Sequence, residues 1–137
     1  MNEIIPKNEE YLYEDKAVIY QTDLEGSIIY VNRKFCEVSS YTVDELLGMS
    51  YKIVIHQDMP QEILNRMDET IKSGRTWNGL VKSIRKDGLY YWLETETLPV
   101  HDENGNHIGY ISVGNIPSRK DIEENEDLYK KMLLAQE

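Results

Sequence analysis

The stretch Trp77-Asn-Gly-Leu-Val-Lys-Ser-Ile-Arg-Lys-Asp-Gly88, continued by Leu89-Tyr-Tyr-Trp-Leu-Glu-Thr-Glu-Thr97, decides how this chain folds. Residues 77–85 read as one strand and residues 89–100 as a second, joined by Lys86-Asp-Gly88, a dipeptide-type hairpin signal. Along the second strand Tyr91, Leu93, Thr95 and Thr97 fall on one face. Tyr90, Trp92, Glu94 and Glu96 fall on the other. Trp92 is read as a core or dimer-surface residue.

The pattern extends in both directions. Asp102-Glu-Asn-Gly105 is another turn, and residues 107–113 form the last strand. Upstream, residues 17–22 and 27–31 read as two strands around Leu24-Glu-Gly26. Asn32 is placed to cap a short helix carrying Phe35, Cys36 and Val38. Thr42-Val-Asp-Glu45 is a capping box. Pro60 opens a longer helix in which Ile63, Leu64, Met67 and Ile71 share a face and Gly74 ends the run. Asp58 stands where it caps that helix. The predicted fold class is α+β: a five-stranded antiparallel sheet with helices packed over one face. A cleft is expected between the sheet and residues 32–74, with Ile63, Leu64, Met67, Val81 and Ile111 pointing into it.

The chain divides into an N-terminal arm or helix (1–16), a central domain (17–116) and a C-terminal linker helix (117–137). In the last, Ile122, Asn125, Tyr129, Met132 and Gln136 sit at spaced a and d positions of a short, partly polar seam.

Bulk properties narrow the function. The 137 residues suit one domain with flanks. A formal net charge of −10 repels phosphate backbones, so nucleic acid is not an expected partner. Cys36 is the single cysteine, which excludes an internal disulfide and a multi-cysteine metal site and favours a reducing compartment. No apolar run approaches the ~18 residues of a membrane span, and the N-terminus lacks the pattern of a signal peptide. A cytoplasmic location follows as the expectation. No phosphate-binding glycine loop, metal-ligand spacing or nucleophile motif is present, so the expected role is regulatory and not enzymatic.

Thr22-Asp-Leu-Glu-Gly-Ser-Ile-Ile-Tyr-Val-Asn32, Phe35 and Tyr41-Thr-Val-Asp-Glu-Leu-Leu-Gly48 resemble the front half of a PAS domain. Gly74-Arg-Thr-Trp-Asn-Gly79, Arg85-Lys-Asp-Gly88, Tyr91-Trp92, Pro99, Gly105, Gly109 and Tyr110 resemble its back half. Within that family, His56-Gln-Asp-Met-Pro60 and Trp77-Asn-Gly-Leu-Val-Lys82 are similar to the PAS domains of bacterial aerotaxis receptors, which hold FAD noncovalently. The resemblance implies a redox or oxygen sensor for energy taxis. Its flavin would touch Asn32, His56, Asp58, Trp77 and the position of Ser83, and its signal would pass by contact with a chemotaxis or other signalling protein, with a homodimer as a further option. Three positions depart from that group: Ile55 replaces an arginine, Ser83 an asparagine and Asp68 an aromatic residue. Arginine is the natural partner of a pyrophosphate. The alternatives are a PAS module for another small ligand or haem, with His56, His101 and His107 as the available axial ligands, and a cofactor-free interaction module.

Overall fold

In the computed structural model, which describes residues 4–14 and 16–136, the two strands of the deciding hairpin are β3 (Trp77–Ile84) and β4 (Tyr90–His101). They pair antiparallel, Trp77 opposite Thr97 through Ile84 opposite Tyr90. β5 (His107–Asn115) pairs with the other side of β4, and β1 (Val18–Asp23) pairs with β5. β2 (Ile28–Val31) closes a five-stranded antiparallel sheet of order β2-β1-β5-β4-β3. The β1–β2 connection passes through Gly26 at φ +88°, where the ring of Tyr51 lies so close that a side chain would crowd it.

Three helices cover one face. Asn32 caps α1 (Arg33–Ser39): its Oδ1 accepts from Phe35 N at 2.9 Å and from Ile19 N at 3.1 Å, and its Nδ2 donates to Ala17 O. One amide thus starts a helix and ties it to β1. The Thr42–Glu45 capping box forms at α2 (Val43–Leu46). A 3₁₀ turn (Tyr51–Val54) leads toward α3 (Gln61–Lys72). Phe35, Val38, Leu46 and Val54 bury against Val18, Ile28, Tyr91 and Leu93 in the larger core.

The alternation read along β4 holds: Tyr91, Leu93, Thr95 and Thr97 are buried on the helix-covered face, while Glu94 and Glu96 are exposed. Trp92 departs from it, buried on the opposite face beneath α4 (Arg119–Ala135). Ile122, Tyr129 and Met132, the apolar members of the expected coiled-coil seam, pack on Trp92, Leu80 and Met59 of the same chain. Gln136, at the end of that seam, accepts a hydrogen bond from Gln61 N. Residues 4–14 run as an extended arm with no helix. Glu10 bridges in parallel to Tyr90, and Arg119 clamps the Glu10 carboxylate at 2.8 and 2.9 Å.

Ile111 corrects one expectation. It stands opposite Gln21 and Leu98, on the face away from Tyr110 and Ser112. Choosing the apolar residue as the inward one fails on β5, because the inward face there carries hydroxyls.

Candidate functional site

Between the sheet and α3 lies a cavity of about 350 Å³. Its floor comes from adjacent strands. Tyr20 of β1, Ser112 of β5, Thr97 of β4 and Trp77 of β3 form one cross-strand row, with Thr22 and Tyr110 in the next. All but Trp77 line the cavity, and Met67, Asp68 and Ile71 of α3 form its roof. Tyr51 and Lys52 of the 3₁₀ turn, Glu25 and Gly26 of the β1–β2 turn, and Lys72 also line the wall. The volume falls within the usual range for small-molecule sites.

Hydroxyls dominate this lining. Thr97 and Ser112 pair at 2.9 Å, and the Tyr51 hydroxyl faces Asp68 Oδ1 at 3.4 Å. Burial raises the Tyr20 phenol above its ordinary range, partly offset by a hydrogen bond with Ser112. Burial, with the charge of Asp68 adding to it, raises Tyr51 well above that range. Both phenols stay protonated near neutral pH, so the wall offers neutral donors and acceptors.

Deeper in, a chamber of about 20 Å³ continues between Val54, Ile55, Val81, Ser83, Leu93, and Thr95. Tyr20, Tyr51, Met67, Thr97 and Ser112 line both spaces. Thr95 Oγ1 is buried there without a hydrogen-bond partner.

The residues singled out from the sequence do not converge. Ser83 is buried and lines the inner chamber, opposite Ile55. Trp77 is buried beside the cavity, with Met67, Ile71 and Tyr110 in one cluster, and its ring lies over Gly79. Asn32 lies away from the cavity, its amide engaged with α1 and β1. His56 is buried against the edge strand β3. Its backbone N–H donates to Lys82 O, and its Nδ1 accepts from Asp58 N at 2.9 Å. Burial first, and then the Lys82 charge, lowers its pKa. The Asp58 carboxylate lies 3.7 Å from Nδ1, but a ring nitrogen that accepts an N–H is unprotonated, so this is no ion pair. Neutral His56 therefore offers a phosphate no positive charge. Asp58 does not cap α3 either. The cap position is Pro60, without a side-chain bond, and the Asp58 carboxylate pairs with Lys82 at 2.9 Å. Lys82 outweighs the effect of burial and holds that carboxyl below its usual range.

Sequence reading missed Tyr20, Thr22, Tyr51, Tyr110 and Ser112. Their signal was weak, since alternation places a residue on a face without marking a cavity there. Cys36 is half-buried on α1, away from the cavity, with its thiol raised by burial. Among the described residues no group of three or more His, Cys, Asp or Glu is placed to hold a metal ion, and no helix is long and apolar enough to cross a membrane.

A single antiparallel sheet roofed by short helices over a hydroxyl-lined cavity is the architecture of a sensory domain. The chain belongs to the PAS family: the family model described as PAS fold matches residues 28–114. It is 36% identical over 121 residues to the aerotaxis receptor of Escherichia coli K12, covering 88% of this chain and 24% of the receptor. It is 28% identical over 97 residues to a nitrogen fixation regulatory protein of Klebsiella oxytoca, covering 71% of this chain and 20% of that protein. The chain thus spans about a quarter or less of these relatives' lengths. Among solved structures, the PAS domain of a Colwellia psychrerythraea protein superposes with a TM-score of 0.68 at 21% identity, covering 75% of this chain and 87% of that one. The light state of the blue-light photoreceptor Aureochrome1 LOV superposes with a TM-score of 0.69 at 20% identity, covering 87% of this chain and 90% of that one. These last two likenesses concern the fold.

Proposed function

We propose that this PAS domain is a cytoplasmic redox or oxygen sensor that binds FAD in the cavity beneath α3 and passes its state to a signalling protein by contact. The observation that carries the reading is the hydroxyl-lined cavity, with Thr95 left unpartnered in the small chamber next to it. A flat ring with hydrogen-bonding edges matches that lining. The similarity to an aerotaxis receptor adds to it. A cavity of this size would take a fused ring, and Lys52 and Lys72 on its wall would be available to the phosphates of a dinucleotide. Of the expected ligand set, Trp77 and Ser83 stand nearest the cavity and would contact the ring. Bound flavin supplies reversible electron transfer. The chain's own residues orient the ring and exclude water from it. A haem is less well supported, because none of His56, His101 and His107 lines the cavity.

The test is the visible spectrum of the purified protein, with mass spectrometry of the supernatant after denaturation. Flavin absorbance, with FAD released, is the expected result. A colourless protein whose melting temperature does not respond to added FAD or riboflavin refutes the reading. Ile55 in the arginine position and the narrowness of the inner chamber favour a cofactor-free interaction module as the second reading, which that outcome supports.

A further inference from the structure

Thr95 is 7% exposed, and its hydroxyl is one of three buried side-chain polar atoms without a partner among the described residues. Buried hydroxyls are normally paired, and leaving one unpaired costs stability. Valine has the same shape and suits a strand equally well, so packing alone does not explain a hydroxyl here. The surroundings sharpen the point. Gly114 and Gly79 are its register partners on either side. A Cβ on Gly114 would meet Leu93 at 3.1 Å, and one on Gly79 would meet the Trp77 ring at 2.6 Å. The two glycines make room for Leu93 and the Trp77 ring, and the Thr95 side chain faces the small inner chamber that Leu93 also lines. That chamber holds about 20 Å³ and shares Met67 with the larger cavity, so a ring reaches Thr95 only if Met67, an unbranched side chain that repacks readily, moves aside.

Resting on the flavin reading, we propose that Thr95 is the residue that positions the ring of the bound flavin, its hydroxyl bonding the polar edge of the isoalloxazine. That edge carries carbonyl oxygens and ring nitrogens, one of which changes from acceptor to donor when the ring is reduced. A hydroxyl that rotates serves both states, donating to the oxidised ring and accepting from the reduced one. Thr97 and Ser112 already satisfy each other, so Thr95 is the free member of the hydroxyl group.

The contact is to the ring, which riboflavin and FAD share, and this sets the experiment. Thr95→Val and Thr95→Ser are compared with the parent for riboflavin and FAD affinity by flavin-fluorescence titration, and for melting temperature without ligand. Thr95→Val is expected to raise the ligand-free melting temperature by about 3 °C. It should weaken riboflavin and FAD alike by about fivefold, the loss of one hydrogen bond worth ~1 kcal/mol. Thr95→Ser should keep the parent affinities. Three outcomes overturn the proposal: unchanged riboflavin affinity in Thr95→Val, a loss confined to FAD, or a lower ligand-free melting temperature, which would mean that a buried water already satisfies the hydroxyl. A parent that binds neither flavin removes the functional reading itself, whereas a parent that binds and a Thr95→Val that binds equally well removes only the role of Thr95.

Discussion

Tyr129→Phe is the substitution that best tests how α4 is held. β3 is an edge strand, and an edge exposes backbone groups that need partners. Residues 55–59 and α4 supply them. His56 N donates to Lys82 O, Lys82 N donates to Met59 Sδ, and the Tyr129 hydroxyl donates to Leu80 O at 2.7 Å. Phenylalanine keeps the ring contact with Trp92, whose centroid lies 6.0 Å away, and removes only the hydroxyl. The Leu80 carbonyl then loses a buried partner, a cost of about 1–3 kcal/mol. At a typical urea dependence this moves the unfolding midpoint down by roughly 1 M. A 17-residue helix is marginal on its own in water, so the loss is expected first as faster amide exchange along α4. Tyr129→Ala should cost about 3–5 kcal/mol, because ring packing goes too. Burial also pushes the Tyr129 phenol up to about 12 from its ordinary 10.0. Between those values the unfolded chain loses this proton and the folded chain keeps it, so stability falls as pH rises through the window. The phenylalanine variant should lack that part of the alkaline loss. A Tyr129→Phe protein with the parent's urea midpoint and unchanged α4 exchange refutes the reasoning.

Gly109→Ala should cost roughly 3 kcal/mol or more in urea unfolding, because its Cβ would stand 2.0 Å from the Thr22 carbonyl oxygen, a backbone atom that cannot step aside. Gly105→Ala, with open space around a φ of +82°, should cost only about 1–2 kcal/mol, so equal losses would contradict this account. His56 is held below its ordinary 6.5, so the unfolded chain protonates first as pH falls. Its contribution is complete above about pH 6.5 and is lost below it. The melting temperature should therefore fall from pH 7 to 5, and His56→Asn, which keeps an acceptor for Asp58 N, should flatten that slope. Asn32→Ala should cost about 2–3 kcal/mol, from a lost cap and a lost tie to β1, and Asn32→Asp should lie between it and the parent; a loss below about 0.5 kcal/mol would show that the amide bridges nothing that matters.

The sheet was legible because its signals are local. Lys86-Asp-Gly88 and Asp102-Glu-Asn-Gly105 fix hairpins, and Thr95 and Thr97 alternate cleanly with Glu94 and Glu96. Asn32 and Thr42 announced their helices for the same reason, since each cap acts within three residues. The seat of α4 was not legible. Ile122, Tyr129 and Met132 at heptad-like spacing describe an apolar stripe, and a stripe does not say whether it meets a second chain or its own sheet. Trp92 was the available clue, a large apolar residue beside Tyr90 on the face that also carries Glu94 and Glu96. That mismatch requires a cover, and α4 provides it.

The cavity escaped sequence reading for a deeper reason. Resemblance drew attention to His56-Gln-Asp-Met-Pro60, yet those residues serve the β3 edge: a backbone bond from His56, a sulfur acceptor from Met59 and an ion pair between Asp58 and Lys82. A motif can persist for this structural work whether or not a ligand lies nearby. The cavity wall is made instead by Tyr20, Thr22, Thr97, Tyr110 and Ser112, residues of three strands distant in sequence. Their shared property is a hydroxyl on the buried face. A rule that sends apolar residues inward counts each of them as a weak core position, and it led to Ile111 where Ser112 is the inward residue. Hydroxyls gathered on the covered face of adjacent strands are costly in a dry core and useful against a polar ring. Alternation read together with polarity, rather than hydrophobicity alone, is the signal that would have found this wall.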